Sequence, residues 1–230
     1  MKHYAVILAG GTGSRTGLSV PKQFAPVAGK PLIAHTLETF QNHPQIDTIV
    51  CVCHPDHLCV MREILDQFSI TKCIAVIPGG DTRQGSVFNA LTGFPFSGDD
   101  IVLIHDAARL FVSAASISAV IEAVRLRGSA NLCVPATDTI VETDGDGAIV
   151  RIPDRSKLMC VQPPQGFRYE ILRRAHDAAL ARGTSAATDD IGLVLVNGGK
   201  PVIVTGEPEN IKVTTARDLV IAEALLSREK

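Results

Sequence analysis

The residues best suited to chemistry in this 230-residue chain sit in a few glycine- and cation-bearing stretches. The first is Leu8-Ala9-Gly10-Gly11-Thr12-Gly13-Ser14-Arg15, where glycines let backbone N–H groups approach an anion without Cβ obstruction. Pro21-Lys22-Gln23-Phe24 follows, and its rigid proline presets the chain just ahead of a compact cation. Arg15 and Lys22 together read as a basic pair aimed at a polyphosphate. Gly79-Gly80-Asp81-Thr82-Arg83-Gln84-Gly85-Ser86-Val87 puts two glycines ahead of a serine in the first turns of a helix, which suits a base or ribose. Asp106 follows the apolar run Ile101–Ile104, and a carboxylate at a strand end can hold Mg²⁺ between protein and phosphate oxygens, or merely cap the next segment. Near the end of the sequence Lys212 precedes Val213-Thr214-Thr215, with Thr215 in position to cap a final helix.

Several familiar sites do not fit these spacings. The first loop runs Gly11-x-Gly13-x-x-x-Gly17 rather than G-x-G-x-x-G, and the second strand ends Cys53-His54-Pro55 without a ribose-binding acid, which counts against a nicotinamide or flavin reductase. No Gly-Lys-Ser or Gly-Lys-Thr completes a P-loop. The cluster Cys51-x-Cys53-His54-x-x-His57-x-Cys59 raises zinc, but Cys51 and Cys53 stand two apart in a strand-like run and read as core thiols. A formal charge of −2 with scattered Lys and Arg lacks the basic footprint of a nucleic-acid binder. The apolar runs fall far short of the roughly 18 residues that a membrane span needs. With no export signal apparent, the six cysteines are expected to be reduced thiols in a cytoplasmic protein.

The elements that must position these residues alternate. Tyr4–Leu8, Thr48–Cys53, Ile74–Pro78, Ile101–His105, Ala130–Pro135 and Val202–Thr205 are β-branched runs, apolar almost throughout, as strands covered on both faces tend to be. Pro31–Asn42, Asp56–Phe68, Thr82–Leu91, Ala114–Arg127, Arg168–Arg182, Asp189–Asn197 and Thr215–Ser227 carry apolar residues at helical spacing. This order predicts one α/β domain over residues 1–230 with a doubly wound, mostly parallel, Rossmann-like sheet. Residues 137–160 depart from the rhythm: apolar and polar residues alternate around Asp144-Gly145-Asp146-Gly147, which predicts a projecting β-hairpin arm. In such a sheet ligands bind at the carboxyl ends of the strands, so the loops above are where a site is expected.

Leu8–Arg15, Pro21–Gln23, Gly79–Val87, His105-Asp106-Ala107-Ala108-Arg109, Asp154-Arg155, Thr188-Asp189-Asp190 and Asn210-Ile211-Lys212-Val213-Thr214 resemble, in the same order, the blocks of the 2-C-methyl-D-erythritol 4-phosphate cytidylyltransferases. Ribitol-5-phosphate cytidylyltransferases share most of them. The resemblance implies a nucleotidyltransferase that moves CMP from CTP to a polyol phosphate with Mg²⁺. It also implies that Arg15, Lys22 and Lys212 are catalytic, and that Ala9, Gly10, Gly11, Gly80, Asp81, Arg83, Ser86 and Ala107 hold the nucleotide. Asp106, as metal ligand and substrate contact, would act with Thr188 and Arg155 on the polyol phosphate. Arg155 would reach a neighbouring subunit through exchanged arms, giving a homodimer. His105 reads as packing and Arg109 as loop support. Two departures, Pro163 in Gln162-Pro163-Pro164-Gln165 and Leu110 after Arg109, bear on the acceptor pocket. A non-catalytic nucleotide-binding partner protein would keep the fold and lose this cationic set.

Overall fold

The computed structural model describes residues 1–11, 20–184 and 187–228. β1 (His3–Ala9) leads to a small antiparallel pair, β2 (Pro26–Val27) and β3 (Lys30–Pro31). Then come α1 (Leu32–Asn42), β4 (Thr48–Cys53), α2 (Leu58–Gln67), β5 (Cys73–Pro78), α3 (Arg83–Gly93) and β6 (Ile101–Asp106). The second half runs α4 (Ala114–Arg127), β7 (Ser129–Pro135), β8 (Glu142–Thr143), β9 (Ile149–Arg151), β10 (Met159–Arg168), α5 (Tyr169–Ala181), α6 (Asp190–Val196), β11 (Val202–Thr205) and α7 (Ala216–Leu226). Seven strands form one sheet in the order β5-β4-β1-β6-β10-β7-β11.

Successive strand residues serve opposite faces of that sheet. Ala5, Ile7, Ile49, Cys51, Ile101 and Leu103 pack with α1, α2 and α4, while Val6, Val50, Val52, Val102 and Ile104 pack with α3, α5 and α6. Both faces are therefore covered, which is why these strands are apolar almost throughout. Phe40 and Phe167 are among the largest fully buried side chains, each contributing about 1.5–3 kcal/mol by burial.

The expected doubly wound, mostly parallel sheet is present, with one unforeseen strand. β10 pairs antiparallel with both β6 and β7, and its register shifts between Gln162 and Gln165, where the two prolines lie. The missing proline N–H groups fall at this irregularity, so the ladder tolerates them. The expected helix Asp56–Phe68 is divided into a 3₁₀ turn over Pro55–His57 and α2. In the arm only β8 and β9 pair; Asp144 closes their turn by accepting from the N–H groups of Asp146 and Ala148 at 3.0 and 2.9 Å. Among the described residues no helix is long and apolar enough to cross a membrane.

The order of the strands fixes where a ligand can sit. From β1 the chain moves outward through β4 and β5, then α3 carries it back to lay β6 on β1's other side. This reversal opens a crevice at the carboxyl ends of β1 and β6, where Leu8 stands beside Asp106.

Candidate active site at the β1–β6 crevice

A cavity of about 370 Å³ fills that crevice. Its wall includes Ala9, Gly10 and Gly11 from the end of β1, Asp106 and Ala107 from β6, Gly80, Asp81, Arg83 and Ser86 from the start of α3, and Lys22 and Lys212. Eleven of the fourteen residues singled out from the sequence thus meet in one place. Arg15 lies outside the described residues. Arg155 and Thr188 do not line this cavity; both are exposed, and Arg155 Nη1 donates to the Thr137 carbonyl at 2.8 Å within the arm.

Local sequence explains the α3 side. Thr82 caps α3 by accepting from the Gly85 N–H at 3.0 Å. Ser86 Oγ donates to the Thr82 carbonyl at 3.0 Å and accepts from the Gly80 N–H at 3.1 Å, folding the glycine bend onto the helix. A Cβ on Gly80 would stand 2.9 Å from the Gly85 carbonyl carbon, so only glycine fits this turn without displacement.

On the β1 side Gln23, to which no role was assigned from its spacing, has one in the structure. This residue is 2% exposed, and its Nε2 donates to the carbonyls of Ala9 at 2.7 Å and Gly11 at 3.0 Å. It ties the end of β1 to the loop that bears Lys22. A polar residue directly after Pro21-Lys22 was the only local signal.

Asp106 is the electrostatic centre. Lys212 Nζ lies 2.6 Å from Oδ2, and Arg83 Nε lies 3.8 Å from Oδ1. Burial alone would raise the Asp106 carboxyl, but the charges of Lys212 and Arg83 outweigh it and hold the group below its ordinary value. The Asp106 backbone ends a strand, and Ser113 caps α4, so Asp106 is not a helix cap. Lys212 stays 42% exposed, leaving its remaining N–H bonds open to the cavity. Arg83 also donates to Asp190 Oδ2 at 2.6 Å, and His176 Nε2 holds Asp190 Oδ1 at 2.9 Å.

The loop bearing Lys212 is fastened from below. Lys22 Nζ donates to the Val213 carbonyl at 2.9 Å, and the Val213 N–H donates to Ala108. Arg109 Nη1 donates to the Asn210 carbonyl, Asn210 Nδ2 to the Pro163 carbonyl, and Gln162 Nε2 to the Glu207 carbonyl. His105 is fully buried against Phe40, with Nε2 donating to the Arg109 carbonyl at 2.9 Å. Pro163 is buried under this loop, and Leu110 belongs to the apolar cluster of Val27, Leu32 and Val213. Neither lines this cavity; both pack beneath the Lys212 loop.

The donor set suits a hard cation shared with a phosphate. Asp106 and Asp81 are the carboxylates on the wall, and Mg²⁺ is usually bound through one or two carboxylates plus substrate phosphates. Among the described residues no group of three His, Cys, Asp or Glu could hold a metal alone. Cys51 and Cys53 are both buried in β4 as members of the core.

A glycine-edged crevice with several cations and a paired carboxylate can bind a nucleoside triphosphate and stabilise charge on its phosphates. Comparison with known proteins agrees with that chemistry. Residues 3–228 match the family model described as IspD, 2-C-methyl-D-erythritol 4-phosphate cytidylyltransferase. The enzyme of that name from Desulforamulus reducens is 42% identical over 97% of this chain and 95% of its own length. Its counterpart from Pelotomaculum thermopropionicum is 40% identical over 96% and 93%. The crystal structure of 4-diphosphocytidyl-2C-methyl-D-erythritol synthase from Anaerococcus prevotii superposes with a TM-score of 0.86 at 27% identity, covering 99% of this chain and 96% of that one.

Proposed function

The chain belongs to the 2-C-methyl-D-erythritol 4-phosphate cytidylyltransferase family, and from that premise we propose that its reaction runs in the β1–β6 crevice. The enzyme transfers CMP from CTP to 2-C-methyl-D-erythritol 4-phosphate and releases pyrophosphate, a step toward isoprenoid precursors. The observation that carries the siting is the convergence of Lys22, Lys212, Arg83 and Asp106 on one cavity at the strand-order reversal.

In this reading an oxygen of the acceptor phosphate attacks the α-phosphorus of CTP in line. The bond from that phosphorus to the bridging oxygen breaks, and pyrophosphate leaves with its electron pair. No proton transfer and no covalent enzyme intermediate are required. Ala9, Gly10 and Gly11 offer backbone to the nucleotide, while Gly80, Asp81, Ser86 and Ala107 enclose its base and ribose. Lys22 and Lys212, with Arg15, stabilise charge on the phosphoryl oxygens. Asp106 would hold Mg²⁺, which neutralises triphosphate charge when bound.

The acceptor contacts extend to a second subunit in this proposal. Arg155 is absent from the cavity of its own chain, and the arm exposes Ile149, Val150 and Ile152, each more than 60% accessible. A two-stranded hairpin of this kind needs a partner surface for stability, and a homodimer with exchanged arms supplies one. Six free cysteines suit a reducing, cytoplasmic setting.

The test is direct. Purified protein incubated with CTP, Mg²⁺ and either methylerythritol phosphate or ribitol phosphate should release pyrophosphate with the first, and yield its CDP derivative by mass. Silence with both acceptors, or no loss of activity on adding EDTA, would overturn the reading or its metal.

A further inference from the structure

Asp190 is fully buried at the start of α6 and does not line the cavity, yet it connects to it. Its oxygens are divided between two elements, Oδ2 accepting from Arg83 of α3 and Oδ1 from His176 of α5. Its backbone N–H donates to Gln165 Oε1 on β10 at 3.0 Å, so the residue is pinned from three sides. Burial pushes its carboxyl upward, but the His176 hydrogen bond and the Arg83 charge prevail and keep it below its ordinary value.

Arg83 spans two carboxylates. With Nη1 held by Asp190 Oδ2 at 2.6 Å, the same rigid guanidinium brings Nε to 3.8 Å from Asp106 Oδ1. Lys212 takes the other oxygen. A connected series of side chains therefore runs His176, Asp190, Arg83, Asp106, Lys212, from the interior to the cavity.

We propose that Asp190, steadied by His176, is a positioning residue for nucleotidyl transfer: it orients Arg83, and through Arg83 keeps Asp106 divided between two cations so that Lys212 holds its place. This rests on the reading of Asp106 and Lys212 as site residues. Packing alone does not call for such a chain, because apolar side chains of similar volume often replace buried ion pairs without loss of stability. His176 moreover leaves Nδ1 buried without a partner in order to keep Nε2 on Asp190. With Asp190 neutralised, Arg83 loses one of its two counter-charges and turns to Asp106, competing with Lys212.

The experiment is a double-mutant cycle in the full-length enzyme, with kcat and KM for CTP measured by pyrophosphate release and folding followed by thermal melting. Asp190→Asn should lower kcat/KM about 10- to 100-fold, as outer-shell partners of functional groups do. If it acts through Arg83, Asp190→Asn combined with Arg83→Ala should be no slower than Arg83→Ala alone, whereas independent losses would multiply. His176→Gln, which keeps a donor for Asp190, should retain more activity than His176→Leu, and this pair decides the matter if Asp190→Asn does not fold. Multiplying losses, wild-type kcat/KM in folded Asp190→Asn, or equal activity of the two His176 variants would overturn the proposal. Lys212→Ala and Asp106→Asn run beside them separate the two ideas: full activity there removes the site reading and the proposal with it, while inactivity there with a normal Asp190→Asn removes the proposal alone.

Discussion

Lys22 donates to the carbonyl of Val213 across 2.9 Å, so one lysine of the crevice braces the residue next to the other. Lys22→Ala should therefore remove a cation and loosen the loop, while Lys212→Ala removes a cation from Asp106. Each is expected to lower kcat about 10²–10³-fold, the usual cost of one preorganised donor. Lys22→Ala should also raise KM for CTP. Steady-state kinetics on both variants check this, and turnover within tenfold of wild type in either would contradict it.

Gly80→Ala should be tolerated poorly, because its Cβ would meet the Gly85 backbone at 2.9 Å and push the bend away from α3. The expected result is a KM for CTP raised about tenfold and a stability loss of about 1–3 kcal/mol, typical of overpacking. Isothermal titration with CTP and urea melts read the two separately. Unchanged affinity would mean that this bend does not shape the nucleotide pocket.

Acid should weaken the fold through His105. Burial, partly offset by the hydrogen bond to the Arg109 carbonyl, pushes this imidazole down to about 4 from 6.5. Between those values the unfolded chain binds a proton that the folded chain refuses, so stability is full above pH 6.5 and falls as pH drops toward 4, by about 3 kcal/mol. His35 and His43, lowered chiefly by burial, act in the same direction. Urea unfolding at pH 7 and pH 4.5 should show a smaller difference in His105→Gln than in the wild type; equal differences would exclude His105 as a source.

Gln162 both donates to the Glu207 carbonyl and accepts from the Glu207 N–H, while Glu207 Oε1 accepts from Ser113 and Ser116 at 2.6 and 3.0 Å. Gln162→Ala leaves these backbone groups unmet and should cost about 1–3 kcal/mol. Because the same loop carries Lys212, kcat should fall as well. Calorimetry paired with the pyrophosphate assay tests the link, and full turnover in a destabilised variant would break it.

Arm exchange predicts complementation. Arg155→Ala and Lys22→Ala subunits, each impaired alone, should regain about a quarter of wild-type activity when refolded together, since half the dimers are then mixed and each has one intact site. No recovery in a mixture shown to be dimeric would place Arg155 outside the partner's pocket.

The sequence revealed whatever depends on neighbouring residues. Runs such as Ile49–Cys53 are apolar at each position because helices cover both faces, and Asp106 stands out because it ends such a run. β10 was hidden by Pro163 and Pro164, which argue against a central strand until the register shift that houses them is seen. Gln23, Gln162 and Asp190 were hidden for another reason: their roles are contacts with Ala9, Glu207 and Arg83, and no local spacing announces a partner so far along the chain. Thr188 and Arg155 owe their expected roles to resemblance alone.

The brace between Lys22 and Val213 joins positions 191 apart. As the polypeptide emerges from a ribosome, β1, β4, β5 and β6 can order early, but the crevice then has only one of its two lysines. The pocket becomes whole only once residue 213 has been added, so a product truncated before Lys212 would offer CTP a defective cradle and could not turn it over.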